Sequence, residues 1–239
     1  MIVPLELTGL TRVFATPAGP FVAVKDVNAR ILAGTFVAIL GHSGCGKSTV
    51  LSILAGLDTA TYGGVIIDGT EVTEPGPERA IVFQSPCLLP WLSVLDNVAV
   101  AATQGSTPRS KKEAYELARF YLDIVGISDR ATQMPNELSL GTQQCVSLAR
   151  ALVVEPRFLL LDEPAAGLRL KEKQDLAGVL RQLRGEGLSI LLVEHDMDLV
   201  MGLVDRVVVM EFGTKLIEGT PEEVQASPAV RAAYLGTEH

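Results

Sequence analysis

The chain has 239 residues, 48% of them hydrophobic, with a formal net charge of -8. That length and apolar content exclude a disordered chain and allow one large α/β domain, or a core with a small subdomain. A pI near 5.0 without a basic stripe argues against a nucleic-acid surface, and no apolar run approaches the roughly 20 residues that span a bilayer.

The first residues, Met1-Ile2-Val3-Pro4-Leu5-Glu6, lack the basic and long apolar regions of a signal peptide. Residues 3–7, 21–24 and 27–32 carry β-formers, with a turn at Thr16-Pro17-Ala18-Gly19-Pro20. Residues 35–40 read as a buried strand. They run into Gly41-His42-Ser43-Gly44-Cys45-Gly46-Lys47-Ser48-Thr49, which fits G-x-x-x-x-G-K-[ST], the loop that holds the phosphates of ATP or GTP. Residues 48–57 then read as a helix with Val50, Leu51, Ile53, Leu54 and Leu57 apolar. Strand, glycine loop and helix start are the context this pattern requires.

The chemistry explains the spelling. Glycines let backbone N–H groups turn inward where a Cβ would collide with phosphate. The helix start adds unpaired donors and a positive dipole end. Lys47 reaches the β- and γ-phosphates as a point charge. Ser48 offers its hydroxyl to Mg2+. Cys45, Cys87 and Cys145 show no metal spacing, which fits a reducing cytoplasm. Cys45 reads as a small residue tolerated in the loop, against the alternative of an exposed thiol.

Residues 64–69 and 80–84 read as further strands. From 85 to about 151 the pattern is helical, broken at Pro86, Pro90, Pro108 and Pro135. Residues 111–126 are amphipathic, with Ala114, Leu117, Ala118, Tyr121, Leu122 and Val125 on one face. Residues 158–161 and 190–193 are continuous apolar runs, as buried parallel strands require. A helix around 171–183 lies between them and ends near Gly185 and Gly187. Residues 207–210, Phe212-Gly213-Thr214 and 215–218 read as a hairpin. The layout is β, then α/β core, then a helical insert, then the core again.

The run 158–161 ends in Asp162-Glu163. Asp162 is placed to hold Mg2+ through water, and Glu163 to polarise the attacking water. Neighbours on a strand point different ways, so two roles are geometrically natural. His195 follows residues 190–193, at the strand end where α/β sheets bind ligands, and reads as a γ-phosphate sensor. Gln84 also ends a strand and reads as a bond to the metal or to the attacking water; alone, a structural role fits it equally.

Taken together, these residues resemble the nucleotide-binding subunit of ATP-binding cassette (ABC) transporters over essentially the full chain. The resemblance implies an α/β fold: a P-loop NTPase (RecA-like) core, an N-terminal antiparallel β subdomain and an inserted α-helical subdomain. Within a single domain of residues 1–239, it assigns 1–84 and 152–220 to the β subdomain and core, 85–151 to the helical subdomain and 221–239 to a C-terminal tail. By that match Gly41 to Thr49 is the Walker A loop, Gln84 the Q-loop glutamine, residues 158–162 Walker B, Glu163 the catalytic carboxylate and His195 the switch histidine. Phe14 matches the aromatic that stacks on adenine. Leu138-Ser139-Leu140-Gly141-Thr142-Gln143-Gln144 occupies the signature position.

The implied cofactors are ATP and Mg2+, and the implied activity is ATP hydrolysis that powers transport. The implied partner is a second nucleotide-binding subunit, the same chain or a homologue, arranged head to tail. Ser139 and Gly141 then contact the partner's ATP, since the amides after Ser139 open a helix and form another anion site. Residues 85–98 are unusually apolar for a loop and match the docking region for transmembrane permease subunits, with a solute-binding protein as indirect partner. The location implied is the inner face of the cell membrane, as a peripheral cytoplasmic subunit. Residues 85–98 look like nitrate, sulfonate and taurine importers. The tail, including Tyr234-Leu235-Gly236, looks like branched-chain amino acid importers.

Three positions depart from the family pattern: Leu140, Thr142 and Arg169. If Leu140 must take a positive φ, strain on the order of 1–2 kcal/mol is expected there. The expectation that follows is slow hydrolysis, or a preference for a different partner subunit. Two further readings stand beside the importer: a soluble ABC ATPase outside transport, and an ATP-binding subunit that barely turns over.

Overall fold

Long apolar runs set the interior, and glycines with bulges set where those runs begin and end. The computed structural model describes residues 5–103 and 109–235. In chain order the elements are β1 (Leu5–Thr16), β2 (Gly19–Ile31), β3 (Phe36–Leu40), α1 (Lys47–Leu54), β4 (Tyr62–Ile67), β5 (Thr70–Glu71), β6 (Arg79–Val82), α2 (Val94–Thr103), α3 (Lys111–Ile124), α4 (Leu140–Leu152), β7 (Phe158–Asp162), α5 (Leu170–Gly185), β8 (Ser189–Glu194), α6 (Met197–Met201), β9 (Arg206–Glu211), β10 (Thr214–Gly219), α7 (Pro221–Ala226) and α8 (Pro228–Leu235). Val3 of the first expected strand, the break at Pro108 and Gly236 of the tail lie outside the described residues. Contacts group the chain into two units, Met1–Gly76 with Gly187–His239, and Pro77–Glu186.

The first unit holds an antiparallel sheet in the order β2-β1-β4-β5. The two short strands expected at 21–24 and 27–32 are one strand, β2, paired with β1 from Leu5↔Ile31 to Thr16↔Gly19. Asp26 sits between them with φ 50, and the β1–β2 register shifts three times. These irregularities break the period-two alternation that would have shown the strands as continuous.

In the same unit β3 lies between β8 and β9 and runs parallel to both. Every residue of β3 and of β8 is buried, as their unbroken apolar runs predict. The β3–β8 register runs from Phe36↔Ile190 to Leu40↔Glu194. The chain therefore leaves both strands at the same end, into the glycine loop on one side and His195 on the other. β9 and β10 form the expected hairpin, turning at Phe212 and Gly213 with φ 45 and 80.

Helix α1 stops at Leu54, three residues before the expected end. Gly56 takes φ 74, and a Cβ there would strike the Glu74 carbonyl. A left-handed glycine ends the helix, and Leu57 is left exposed beyond it.

In the second unit β6 and β7 pair in parallel, from Arg79↔Phe158 to Val82↔Leu161. Helix α3 begins with a capping box: Ser110 Oγ accepts from Glu113 N–H, and Glu113 Oε2 accepts from Ser110 N–H. Its buried face carries Ala114, Ala118 and Leu122, as its period predicts. Among the described residues no helix is long and apolar enough to cross a membrane.

One side chain that fastens the segment before α2 is Asn97. Asn97 is fully buried. Its amide donates to the carbonyls of Leu89, Leu92 and Ser93, and its Oδ1 accepts from Leu89 N–H at 2.8 Å. Asn97→Ala should leave those buried groups unpaired and cost about 1–3 kcal/mol. Urea unfolding should show a lower midpoint with an unchanged slope.

Candidate functional site

The glycine loop leaves β3 and closes on the start of α1. Gly46 is the N-cap of α1 with φ 100, and a Cβ there would lie 2.5 Å from the Ala23 carbonyl oxygen. A Cβ on Gly41 would strike the Met210 carbonyl and Cys45 Sγ. Backbone bonds fasten the loop to the rest of its unit. Cys45 N–H donates to His42 O at 3.2 Å, Gly213 N–H to Cys45 O at 3.2 Å, and Lys25 N–H to Gly213 O at 2.8 Å.

No side chain caps α1, and its first turn holds no acidic residue. The amides there keep their affinity for an anion. Lys47 is only 5% exposed. Its Nζ donates to the carbonyls of Gly41 at 2.7 Å and His42 at 3.0 Å. An ammonium has three donors, and these carbonyls take two of them. His42, Ser43, Gly44 and Ser48 are exposed around this buried cation, and Thr49 is half-buried. His42 Nε2 lies 3.0 Å from the Ala233 carbonyl of α8.

Cys45 is buried rather than exposed. Burial pushes its thiol above the usual range, and Lys47 only partly opposes this. The small-residue reading of Cys45 holds: a protonated, buried thiol is unreactive.

His195 follows β8 and is mostly exposed. Behind it stands Glu194, 1% exposed. Glu194 Oε2 accepts from His195 N–H at 3.1 Å and lies 3.9 Å from Nδ1. The sequence reading passed over Glu194 in this role. Its signal was a carboxylate ending an otherwise apolar run. Phe14 lies on β1 opposite Phe21, half-buried rather than in the core. The Arg12 guanidinium covers one ring face at 4.6 Å and pairs with Asp58 at 2.7 Å.

In the second unit, the parallel register of β6 and β7 brings Gln84, Asp162 and Glu163 to the same strand ends. Asp162 closes β7, and Glu163 follows with φ 45. A non-glycine residue held there stores about 1–3 kcal/mol, a pattern that clusters at functional sites. Gln84 is exposed. Its carbonyl accepts from Gln144 Nε2 at 2.6 Å, and the Arg150 guanidinium donates to the carbonyls of Pro86 and Cys87 at 2.8 Å. Helix α4 thus grips the segment after β6 through two side chains that sequence reasoning missed.

Ser139 is the N-cap of α4, accepting from Thr142 N–H at 3.2 Å. Leu140 is the first residue of that helix and is not among the residues with positive φ. The strain expected at Leu140 is therefore absent, because a first-turn helical position suits any ordinary side chain. Thr142 Oγ1 lies 3.1 Å from Ser139 Oγ. Arg169 precedes α5 as its N-cap and supplies no side-chain acceptor.

Residues 24–166, more than half of the chain, match the family described as "ABC transporter". Residues 215–239 match "Branched-chain amino acid ATP-binding cassette transporter". The nitrate import ATP-binding protein NrtD of Synechococcus elongatus is 40% identical, over 89% of this chain and 78% of its own length. The bicarbonate transport ATP-binding protein CmpD of Synechocystis sp. is 38% identical, over 87% of this chain and 74% of its own. A solved dimeric post-hydrolysis state of the ATP-binding cassette MJ0796, bound to ADP and Pi, gives a TM-score of 0.82 at 30% identity. It covers 91% of this chain and 98% of that one. The α/β P-loop NTPase fold expected from the sequence is the fold of the chain.

Gly46→Ala should cost stability, because it adds a Cβ at positive φ against a backbone carbonyl. A loss of roughly 1–3 kcal/mol is expected from chemical denaturation. Titration with a fluorescent ATP analogue should show weaker binding in the same variant.

Proposed function

The chain belongs to the ABC transporter family, and on that premise we propose that it is an ATP-hydrolysing subunit that powers solute import. The observation that carries the reading is the glycine loop, where the buried Lys47 ammonium lies behind an uncapped helix start. Its amides bind the phosphates and Lys47 offsets their charge. His195, backed by Glu194, senses the terminal phosphate. Glu163 orients the attacking water, and Gln84 holds that water or the metal. Phe14, half-exposed and stiffened from one face by Arg12, stacks on adenine.

Among the described residues, no group of three or more His, Cys, Asp or Glu is placed to hold a metal by itself. Mg2+ takes one or two hard protein oxygens alongside phosphate. Ser48 and Asp162 are such donors and would hold it. When bound, Mg2+ neutralises charge on the β- and γ-phosphate oxygens.

The working unit is a head-to-tail pair with a second copy or a homologue. In it Ser139 and Gly141 meet the partner's nucleotide. The dimeric state of MJ0796 supports a paired working unit. Permease subunits dock on residues 85–98, where Trp91 is 70% exposed on a segment that Asn97 keeps rigid. A solute-binding protein acts through that permease. The subunit works at the inner membrane face, on the cytoplasmic side.

Three measurements test the reading. Glu163→Gln should still bind ATP but lose hydrolysis by roughly 10²-fold or more. Light scattering should then show an ATP-dependent dimer; hydrolysis at the normal rate would remove Glu163 from its role. Lys47→Ala should weaken nucleotide binding in an equilibrium titration. Chelating Mg2+ with EDTA should abolish turnover, and added Mg2+ should restore it.

A further inference from the structure

Two helices of the second unit, α4 and α5, share a single carboxylate at their N-terminal ends. Glu172 lies in the first turn of α5. Its Oε2 accepts from Arg169 N–H at 3.0 Å, which caps its own helix. Its Oε1 accepts from Ser139 Oγ at 2.8 Å, across 33 residues of sequence. A Cβ built on Gly141 would fall 2.6 Å from Glu172 Oε1 and Cδ, so the carboxylate lies directly against that glycine.

Ser139 has one hydroxyl proton. It accepts from Thr142 N–H and gives its own proton to Glu172. An anion arriving at Ser139 meets a donor already committed and a negative charge already in place. The Arg169 charge offsets part of it, and two acidic groups lie close by. Cys145, one turn further along α4, faces the carboxylates Asp175 and Glu172, and its thiol is pushed up to about 11, mainly by burial. Glu172 itself is held below the usual carboxylate range, first by the Arg169 amide and then by the Ser139 hydroxyl.

We propose that Glu172 is an internal placeholder for the terminal phosphate, occupying the Ser139 hydroxyl and lying against Gly141 until a partner's nucleotide displaces it. The proposal rests on the reading of Ser139 and Gly141 as the site for that nucleotide. It makes Glu172 a positioning residue that acts through Ser139. Pair closure then includes an exchange of one anion for another, and Glu172 sets the nucleotide concentration at which closure occurs.

The test uses the full chain carrying Glu163→Gln, with ATP-dependent dimerisation read by light scattering. Glu172→Gln removes the charge while retaining an amide oxygen that can cap Arg169, as Gln does in a capping box. It should lower the ATP concentration for half-maximal dimerisation by about fivefold or more. In the hydrolysing chain the same substitution should lower KM for ATP with little change in kcat. Glu172→Ala should act in the same direction. Ser139→Ala should weaken dimerisation, and in that background Glu172→Gln should lose most of its effect, which a purely structural role would not produce. Unchanged dimerisation in both Glu172 variants, with Ser139→Ala still damaging, would overturn the placeholder and leave the signature reading standing. No effect from Ser139→Ala either would overturn both.

Discussion

The buried ammonium of Lys47 is the interaction on which the first unit's site depends. A charge taken out of water is costly unless hydrogen bonds replace its hydration. Here the carbonyls of Gly41 and His42 do so, at 2.7 and 3.0 Å. Bringing those carbonyls to Lys47 demands a loop that turns tightly, and Gly46 at φ 100 supplies the turn. The space for it is set by Ala23 of β2 and Met210 of β9, which would collide with side chains at Gly46 and Gly41. The β9–β10 hairpin is thus part of the loop's mould, and Gly213 fastens it to Cys45.

The parts of the fold legible in the sequence are those that depend on unbroken local pattern. β3, β7 and β8 announced themselves as continuous apolar runs, and α3 by its period and its Ser110–Glu113 cap. What stayed hidden depends on a single backbone angle or on distant partners. Asp26 at φ 50 concealed the continuity of β2, and Gly56 at φ 74 ended α1 early. Glu163 at φ 45 is the clearest case. The residue before a proline is steered toward extended backbone, so Pro164 points away from the conformation found.

The candidate site shows the same division. The loop residues, Asp162, Glu163 and His195 were identified by type and spacing. Glu194, Gln144, Arg150 and Glu172 were not, since each acts through a neighbour brought near by folding. Leu140 shows the converse case. Strain was expected there if the position took a positive φ, whereas it is an ordinary first turn of helix.

On the proposed reading two helix starts carry the anion chemistry, and the chain caps them differently. Helix α1 has no capping side chain and no acid in its first turn. Helix α4 has Ser139 as its cap and Glu172 leaning in from α5. The difference follows from what must be controlled. On the reading proposed above, the α1 site binds the chain's own nucleotide and gains from open amides. The α4 site acts only when a partner arrives. Glu172 holds the Ser139 hydroxyl meanwhile, so closure replaces one charge-assisted hydrogen bond by another. On that proposal, the balance of pair closure includes the difference between phosphate and carboxylate at Ser139. A site too strongly in favour of phosphate would hold the pair shut, and one filled by an immovable group would never close.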